Sequence, residues 1–374
     1  MTNKNITIRK AFITDWLEKY GGAERVVTAI SEVYDFDYYY AYINKMNEQT
    51  QAMTFAGKKV IVEDSLILNK FKKRFRYLLP FFPYIVRQFN LQTQNNKVDL
   101  VISSSWALSK AYRIGNEVHV CYLQARNFKY VWDEADMYFK GPLKLLNPLK
   151  TFLQRFDLRT ATNPDYLIAN SKFVSNWVRK HYNREATVIY PPVDVEDFYI
   201  SPNRGDYYIS VGRIEPYKRF DLIVDAFKSN KMPLKIIGDG TQLKKLKKNS
   251  ALNPNIEYLG FRSKADIIDL VSKAKGFVYA GVEDFGIVLV EALASGVPVI
   301  AYRDGAAEEI VTDGETGVLY DEQTHTALNA AIENFENIQQ HFVGTDLRQT
   351  ALKFSKVRFK NELATFINNI NINR

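Results

Sequence analysis

The chain has 374 residues, which is long for a single hydrophobic core and predicts two domains. Hydrophobic residues make up 46% of it and charged residues 25%, a composition that is typical of globular proteins and excludes a disordered chain. The single cysteine, Cys121, excludes a disulfide framework within the chain, and 50 basic against 42 acidic residues give a net charge of +8, which favours an anionic ligand or surface.

Neither a targeting segment nor a nucleic-acid-binding motif is predicted. Asp15 and Glu18 interrupt any apolar segment near the start, and the most apolar stretch, residues 77–86, contains two prolines and is too short to span a bilayer. No zinc-finger, helix-turn-helix or RNA-binding pattern accompanies the positive charge, so no nucleic-acid partner is expected. The interpretation is a cytoplasmic protein, soluble or peripheral to a membrane.

Short apolar strands alternate with amphipathic helices in the first half of the chain. Residues 6–13 predict a strand, and Gly21 and Gly22 open a helix that ends near residue 31. Further strands are predicted at residues 98–103, 118–123 and 166–169. This alternation favours a parallel sheet with helices on both faces.

The same alternation resumes after a segment that contains Pro191 and Pro192, which disfavour helix and suit an extended linker. Strands are predicted at residues 207–211, 234–237, 256–259, 276–279 and 297–301, with a helix at 219–227. We therefore predict an α/β fold of two Rossmann-like, doubly wound parallel sheets facing a cleft. The domains are expected at residues 1–192 and 193–349, with a C-terminal helix at about 350–374 that packs back on the first domain. In such sheets ligands bind at the carboxyl ends of the strands.

Two glutamates follow the predicted strand at 276–279. Glu283 lies in the loop, and Glu291 lies about five residues into a helix that starts near Gly286, roughly 8 Å along its axis. Amides at a helix start favour an anion, so a diphosphate there would leave Glu283 to reach a sugar and Glu291 a ribose. The alternative is a core helix with two incidental acids, but Glu291 has apolar neighbours on both sides and an unpaired charge there would be costly.

This E-x7-E pattern resembles the signature of retaining GT-B glycosyltransferase family 4, the glycosyl transferases group 1. The resemblance covers residues 21–319 and is strongest in the second half. It implies a hexosyltransferase in which Glu283 is catalytic and contacts the transferred sugar, while Glu291 binds the ribose. By the same resemblance, the diphosphate contacts are Phe285, Gly286, Ile287 and Val288.

A basic loop follows the first strand of the second domain. Residues 211–219 resemble the V-G-R-x4-K element of the family, with Arg213 and Lys218 as its cations. Negative charge grows on the diphosphate when the sugar leaves, and fixed cations balance it where no metal does. We therefore expect Arg213 and Lys218 to be catalytic and donor-binding; the alternative is a solvated basic turn. Two more donor contacts are expected, at Gly238 after a strand and at Phe261 in a turn that resembles the family's nucleobase-binding loop.

The first domain is expected to contact both substrates. Gly22 matches the family's N-terminal glycine loop and is predicted to bind the donor. Acceptor contacts are expected from Asp15, Gln124 and Asn170. Gln124 departs from the family, because relatives that act on mannose-type donors have a histidine there that hydrogen-bonds the donor sugar. Glutamine donates a hydrogen bond but carries no proton, although front-face transfer uses the leaving phosphate as the base.

No metal and no cofactor are expected besides the nucleotide-sugar donor. The four histidines are scattered, without the spacing of metal ligands. Asp35 and Asp37 form a D-x-D pattern, the metal motif of the other large glycosyltransferase fold, but they stand between a helix and the start of a strand.

Basic residues precede a run of aromatic residues in the segment 68–90. The basic residues are Lys70, Lys72, Lys73, Arg74 and Arg76. Such a segment suits an anionic membrane surface, and the alternative is a helix with a solvated basic face. With the lipid-linked acceptors of the family, it predicts contact of Lys70 to Tyr84 with the cytoplasmic face of the inner membrane.

The predicted function is transfer of mannose from GDP-mannose to a lipid-linked or glycan acceptor in bacterial surface-polysaccharide assembly, by likeness to O-antigen mannosyltransferases. A transferase that uses a UDP-sugar is the alternative among enzymes. Gln124 also permits a non-catalytic pseudo-transferase that binds nucleotide sugar. A GT-B epimerase is disfavoured because its catalytic acids are placed differently.

Overall fold

The computed structural model describes residues 8–71, 74–135 and 147–371. The chain divides into two compact units, one comprising Met1–Tyr190 and Phe359–Arg374 and the other Pro191–Arg358. Lys72, Lys73 and the side chain of Arg76, which belong to the basic segment, lie outside the described part.

The first unit contains a seven-stranded sheet in the order β3-β2-β1-β4-β5-β6-β7, with every pair parallel. Its strands are β1 (Lys10–Leu17), β2 (Tyr38–Asn44), β3 (Val62–Asp64), β4 (Leu100–Ser105), β5 (Val118–Leu123), β6 (Tyr166–Ala169) and β7 (Thr187–Val188). Phe12 packs into the core on one face, whereas Ala11 and Ile13 pack into the core on the other. The central strands are rich in apolar residues because both faces are buried.

Helices cover both faces of this sheet. They are α1 (Gly22–Val33), α2 (Glu48–Thr54), α3 (Leu66–Lys70), α4 (Phe82–Thr93), α5 (Asn147–Thr160) and α6 (Lys172–Tyr182). Val26 and Ile30 of α1 pack on one face, and Phe82 and Phe89 of α4 pack on the other. Within the described ranges, the chain has no helix with the length and apolarity needed to cross a membrane.

The second unit contains a six-stranded parallel sheet in the order β10-β9-β8-β11-β12-β13. Its strands are β8 (Tyr208–Val211), β9 (Leu234–Ile237), β10 (Ile256–Gly260), β11 (Gly276–Tyr279), β12 (Val299–Tyr302) and β13 (Gly317–Tyr320). Its helices are α7 (Phe220–Asn230), α8 (Leu243–Asn249), α9 (Lys264–Ser272), α10 (Ile287–Ala294), α11 (Ala307–Ile310), α12 (His325–Ile338) and α13 (Gly344–Leu352).

The last helix, α14 (Lys356–Asn369), contributes Phe359, Leu363 and Ile367 to the core of the first unit. A single helix was expected over about 350–374. Instead, α13 ends at Leu352 and α14 begins at Lys356, and between them Phe354 O accepts a hydrogen bond from Val193 N at 3.0 Å.

Each sheet has a switch point where the strand order reverses, between β1 and β4 in the first unit and between β8 and β11 in the second. Crossovers leave such a point toward opposite faces, so a crevice opens at the carboxyl ends of the two strands. The α/β class with two Rossmann-like sheets is confirmed, as are the strands predicted at 118–123, 166–169, 234–237 and 276–279.

The first strand was predicted at residues 6–13, but β1 spans Lys10–Leu17. Beyond residue 13 the strand contains two polar residues, Thr14 and Asp15. Both are fully buried, and the Asp15 carboxylate is satisfied by backbone amides from a distant loop, so the strand continues through them.

Candidate active site

Two loops leave the carboxyl ends of β8 and β11, the strands on either side of the switch point in the second unit. The loop after β8 carries Lys218, and the loop after β11 carries Glu283. A Cβ at Gly281 would lie 3.0 Å from Lys218 Cα and 3.0 Å from Tyr217 O, so the missing side chain lets the loops pack together.

Glu283 is the centre of this arrangement. Lys218 Nζ forms an ion pair with Glu283 Oε1, and the Tyr279 hydroxyl donates a hydrogen bond to the same oxygen. The Lys218 and Glu283 side chains are only 14% and 18% exposed, so water screens the pair weakly. Two of the predicted catalytic residues therefore lie in direct contact.

The backbone of Glu283 is also held in place. Ala306 N donates to Glu283 O at 2.9 Å, and Gly305 pairs with Glu283 across an isolated bridge. Gly305 has φ +80°, and a Cβ there would lie 2.5 Å from Glu283 O. Only glycine suits this position, because any side chain would push the loop after β12 away from Glu283.

Arg213 is the more exposed cation of the pair predicted after β8. It donates from NH2 to the Tyr217 hydroxyl at 2.7 Å, and its guanidinium lies 5.9 Å from the Tyr217 ring centroid. Stacking on an aromatic face restricts the arginine while leaving other N–H groups directed to solvent.

The predicted helix start after Glu283 is confirmed. Gly286 has φ +94° and precedes α10, whose first residue is Ile287, so Glu291 is the fifth residue of the helix and is half-buried. Phe285 was expected to contact the diphosphate, but its side chain is buried against Phe354, with 5.5 Å between ring centroids. Only the backbone of Phe285 is therefore available to an anion at the start of α10.

Gly238 and Phe261 have different surroundings. Gly238 has φ +141°, and a Cβ there would lie 1.9 Å from Gly212 O, so it packs beneath the loop that carries Arg213. Phe261 follows β10 and is 85% exposed, which leaves its ring free to stack on a planar group.

Asp15 was expected to bind an acceptor hydroxyl, and the structure corrects this assignment. Its carboxylate is fully buried and accepts hydrogen bonds from four successive amides, those of residues 106–109, at 2.6 to 2.7 Å. Burial raises the pKa of the Asp15 carboxyl, and the hydrogen bonds from Trp106 and Ser109 oppose that rise. Asp15 therefore anchors the loop after β4 to β1 and has no oxygen to offer a ligand.

Asn170 is corrected for the same reason, because it is 3% exposed and donates to Gln124 O at 2.7 Å. Gln124 is half-buried after β5 and donates from Nε2 to Ser104 Oγ at 2.9 Å and to Ala23 O at 3.3 Å. The Gln124 amide thus connects the loop after β5 to the end of β4 and to the start of α1. Within the described residues its Oε1 makes no hydrogen bond, so it remains able to accept one from a ligand.

The glycine loop after β1 differs from the expected phosphate-binding geometry. Gly21 has φ −157°, a conformation open to any residue, and Gly22 is the first residue of α1. The Glu24 carboxyl, not predicted as a site residue, folds back toward Gly21 and is 9% exposed. Burial raises the pKa of Glu24 to about 7, against weaker opposing hydrogen bonds from the backbone of Glu24 and Gly21.

The D-x-D pattern has a structural role. Asp37 Oδ2 accepts from Lys10 N at 2.7 Å, and Asp35 forms an ion pair of 2.6 Å with Lys58. In the described ranges, no three His, Cys, Asp or Glu side chains are grouped in a way that would hold a metal ion.

Two site residues that sequence reasoning missed are Tyr279 and Gly305. Both touch Glu283 from the ends of neighbouring strands, β11 and β12. Tyr279 carried a weak signal, since it is the polar end of an apolar strand that precedes the glutamate loop. Gly305 gave no signal of a contact with Glu283, because its partner lies in another loop.

The sequence matches two family models, "Glycosyl transferases group 1" over residues 197–351 and "Glycosyltransferase Family 4" over residues 20–197. An uncharacterized glycosyltransferase of Methanocaldococcus jannaschii is 34% identical over 200 residues, 52% of this chain and 56% of that one. The O-antigen chain mannosyltransferase RfbU of Salmonella typhimurium is 27% identical over 183 residues, 46% of this chain and 51% of that one. The chain thus spans about half the length of these curated relatives.

Solved structures resemble almost the whole chain. Anabaena HepE in complex with UDP and glucose matches with a TM-score of 0.73 at 19% identity, over 97% of this chain and 100% of that one. Sucrose-phosphate synthase from Thermosynechococcus elongatus matches with a TM-score of 0.74 at 16% identity, over 96% and 98%. At these identities the likeness establishes the fold. Since the two family models adjoin and together extend from residue 20 to residue 351, the chain belongs to glycosyltransferase family 4, the glycosyl transferases group 1.

Proposed function

We propose that the protein transfers a sugar from a nucleotide-diphosphate donor to a lipid-linked or glycan acceptor, with retention of the anomeric configuration. The proposed donor is GDP-mannose, and the proposed setting is assembly of a bacterial surface polysaccharide at the cytoplasmic face of the inner membrane. No metal and no cofactor take part in the proposed reaction.

The contact between Lys218 and Glu283 at the switch point of the second sheet carries this proposal. In the reaction, the bond from the anomeric carbon to the diphosphate oxygen breaks, and a bond from that carbon to the acceptor oxygen forms. The acceptor proton passes to the leaving diphosphate. Arg213, Lys218 and the amides at the start of α10 stabilise the charge that accumulates on the diphosphate.

Relatives named for mannose transfer support the choice of donor. Besides RfbU, a GDP-mannose-dependent alpha-mannosyltransferase of Mycobacterium tuberculosis is 36% identical over 110 residues, 29% of this chain and 28% of that one. The HepE structures hold UDP, UDP with glucose, and UDP-glucose, so a UDP-sugar is the second candidate.

A donor screen tests the proposal. Thermal unfolding is measured with GDP-mannose, UDP-glucose, a dTDP-sugar and an ADP-sugar, and release of nucleoside diphosphate is measured with each. A ligand at a hundred times its dissociation constant adds about 2.7 kcal/mol to stability, which separates true donors from weak binders. Stabilisation and turnover with GDP-mannose alone are expected. Turnover only with UDP-sugars would overturn the mannose assignment, and stabilisation without turnover would indicate a pseudo-transferase.

The two glutamates are expected to separate kinetically. Glu283→Gln should mainly lower kcat, because charge develops on the sugar during transfer, whereas Glu291→Gln should mainly raise KM for the donor. A hydrogen bond to a charged acceptor is worth about 1.5–3 kcal/mol, or roughly ten- to a hundredfold in affinity. Free nucleoside diphosphate, which has a ribose but no sugar, should bind Glu283→Gln normally and Glu291→Gln weakly. The reverse pattern in calorimetry would mean that the donor lies in the opposite direction.

The proposed membrane surface is the segment Lys70 to Tyr84. Tyr77, Phe81 and Tyr84 are exposed by 81%, 58% and 57%. No acidic residue occurs between Asp64 and Asp99, so the positive charge of this stretch is not neutralised within it. Exposed aromatic rings in a basic stretch of sequence that contains no acidic residue favour an anionic lipid surface.

Vesicle sedimentation tests this surface. Replacing Lys72, Lys73, Arg74 and Arg76 with serine should abolish binding to anionic vesicles, at about 1 kcal/mol per basic residue. The matched control replaces four exposed lysines of α8 in the other unit, Lys244, Lys245, Lys247 and Lys248, with serine. These substitutions remove the same amount of positive charge. Equal loss in both variants would mean that net charge, rather than this segment, causes the binding.

A further inference from the structure

The ring of Tyr279 is buried at the end of β11, four residues before Glu283. Its side chain is 1% exposed, and its hydroxyl donates to Glu283 Oε1. Burial raises the pKa of Tyr279 well above its usual range, so the phenol stays protonated and remains a donor at any physiological pH.

Both donors to Glu283 converge on one oxygen. Lys218 Nζ and Tyr279 Oη each contact Oε1, and within the described residues Oε2 makes no hydrogen bond or ion pair. A carboxylate held by two donors on one oxygen cannot rotate freely about its last torsion angle. Its second oxygen is therefore kept in one direction with its acceptor capacity unused.

We propose that Tyr279 is a positioning residue for Glu283, fixing Oε1 together with Lys218 so that Oε2 accepts a hydrogen bond from a hydroxyl of the transferred sugar. This inference rests on the proposed function, because it assigns the sugar to Glu283. It adds to the proposed contact between Glu283 and the sugar that the orientation of the Glu283 carboxylate depends on the Tyr279 hydroxyl in the preceding strand.

The alternative is that the Tyr279 hydroxyl merely satisfies a buried polar group. The strand end is held without it, however. Tyr320 donates from its hydroxyl to Tyr279 O at 3.3 Å, and Gln323 Nε2 donates to Ala280 O at 2.9 Å. The backbone of this segment therefore keeps its contacts when the Tyr279 hydroxyl is removed. What is lost is the hydrogen bond to the Glu283 carboxylate.

The test is Tyr279→Phe, measured with whichever nucleotide sugar the unaltered protein turns over. The ring is retained, so the fold and the affinity for free nucleoside diphosphate should be unchanged. We expect kcat to fall roughly 10- to 100-fold, as for a lost hydrogen bond to a charged group, with little change in KM. In a Glu283→Gln background the same substitution should lower kcat less than about threefold, because the carboxylate it orients is gone.

Tyr208→Phe is the matched control, since Tyr208 is another buried tyrosine of this unit whose hydroxyl donates to a carboxylate, that of Glu336. It should leave kcat within about twofold of the parent, far below the loss expected for an oriented catalytic group. Unchanged turnover in Tyr279→Phe would overturn the inference, as would equal losses with and without the Glu283 carboxylate. A parent protein that turns over no nucleotide sugar would instead refute the proposed function.

Discussion

Replacing Asp15 with asparagine should destabilise the first unit strongly. Each carboxylate oxygen accepts two amide hydrogen bonds, Oδ2 from Trp106 and Ala107 and Oδ1 from Leu108 and Ser109. Asparagine keeps the shape but places an NH2 group opposite two of these four N–H donors. Two lost hydrogen bonds to a charged acceptor, at about 1.5–3 kcal/mol each, predict a loss of roughly 3–6 kcal/mol. That is a large part of the 5–15 kcal/mol that stabilises a typical domain.

Tryptophan fluorescence during urea unfolding measures the change in the free energy of unfolding of the first unit, which contains Asp15. The four tryptophans, Trp16, Trp106, Trp132 and Trp177, all belong to the first unit. The matched control is Asp37→Asn, because Asp37 is exposed and accepts one amide hydrogen bond, from Lys10. It should cost less than about 1 kcal/mol, since water replaces the lost acceptor. If Asp15→Asn is as stable as the control but binds acceptor poorly, the carboxylate faces a ligand and the anchoring role is wrong.

Four further outcomes are expected. Burial raises the pKa of Glu24 to about 7, so folding is penalised as pH rises from 4.5 through 7; Glu24→Gln should remove up to roughly 3 kcal/mol of this pH dependence in urea unfolding at pH 5 and pH 8. Burial lowers the pKa of His119 to about 3, so stability should be lost as pH falls below 6.5, and His119→Gln should flatten that loss. Arg213→Ala should lower kcat by about 10², whereas Arg159→Ala, which removes an exposed arginine of α5 in the first unit, should not, and transfer should continue in EDTA.

The sequence predicted nine of the strands and the start of β2, but not β3, β7 or β13. Strands buried on both faces are rich in apolar residues, so most of them stand out between charged turns. Lys218 and Glu283 were also identified, because each lies in a loop after such a strand and belongs to a motif that resembles one of the family. The contacts between them required the fold, since 65 residues separate the two side chains along the chain.

The burial of polar side chains was the feature that the sequence predicted least well. Lysine is usually found at the protein surface, yet the Lys110 side chain is 0% exposed. It forms an ion pair of 3.0 Å with Asp157, which is equally buried. Asp157 also accepts from Asn127 at 2.7 Å and from Tyr182 at 2.8 Å. These partners are 30 and 25 residues from Asp157, and no periodic pattern marks them. A buried charge is tolerable only with such partners, so its burial cannot be judged from its neighbours in sequence.

The same limitation explains why Asp15 and Glu283 were both predicted to contact a substrate, Asp15 the acceptor and Glu283 the transferred sugar. Each acid connects the two chain segments at a switch point: Asp15, on β1, binds amides of the loop after β4, and Glu283, in the loop after β11, binds Lys218 in the loop after β8. What separates them is the number of donors. Four backbone amides saturate both oxygens of Asp15, whereas Lys218 and Tyr279 occupy only one oxygen of Glu283. A carboxylate whose lone pairs are all used by the backbone stabilises the fold, and one that is held on a single oxygen keeps the other for a substrate. An acid at the end of a strand is therefore a candidate for ligand binding only after its donors have been counted.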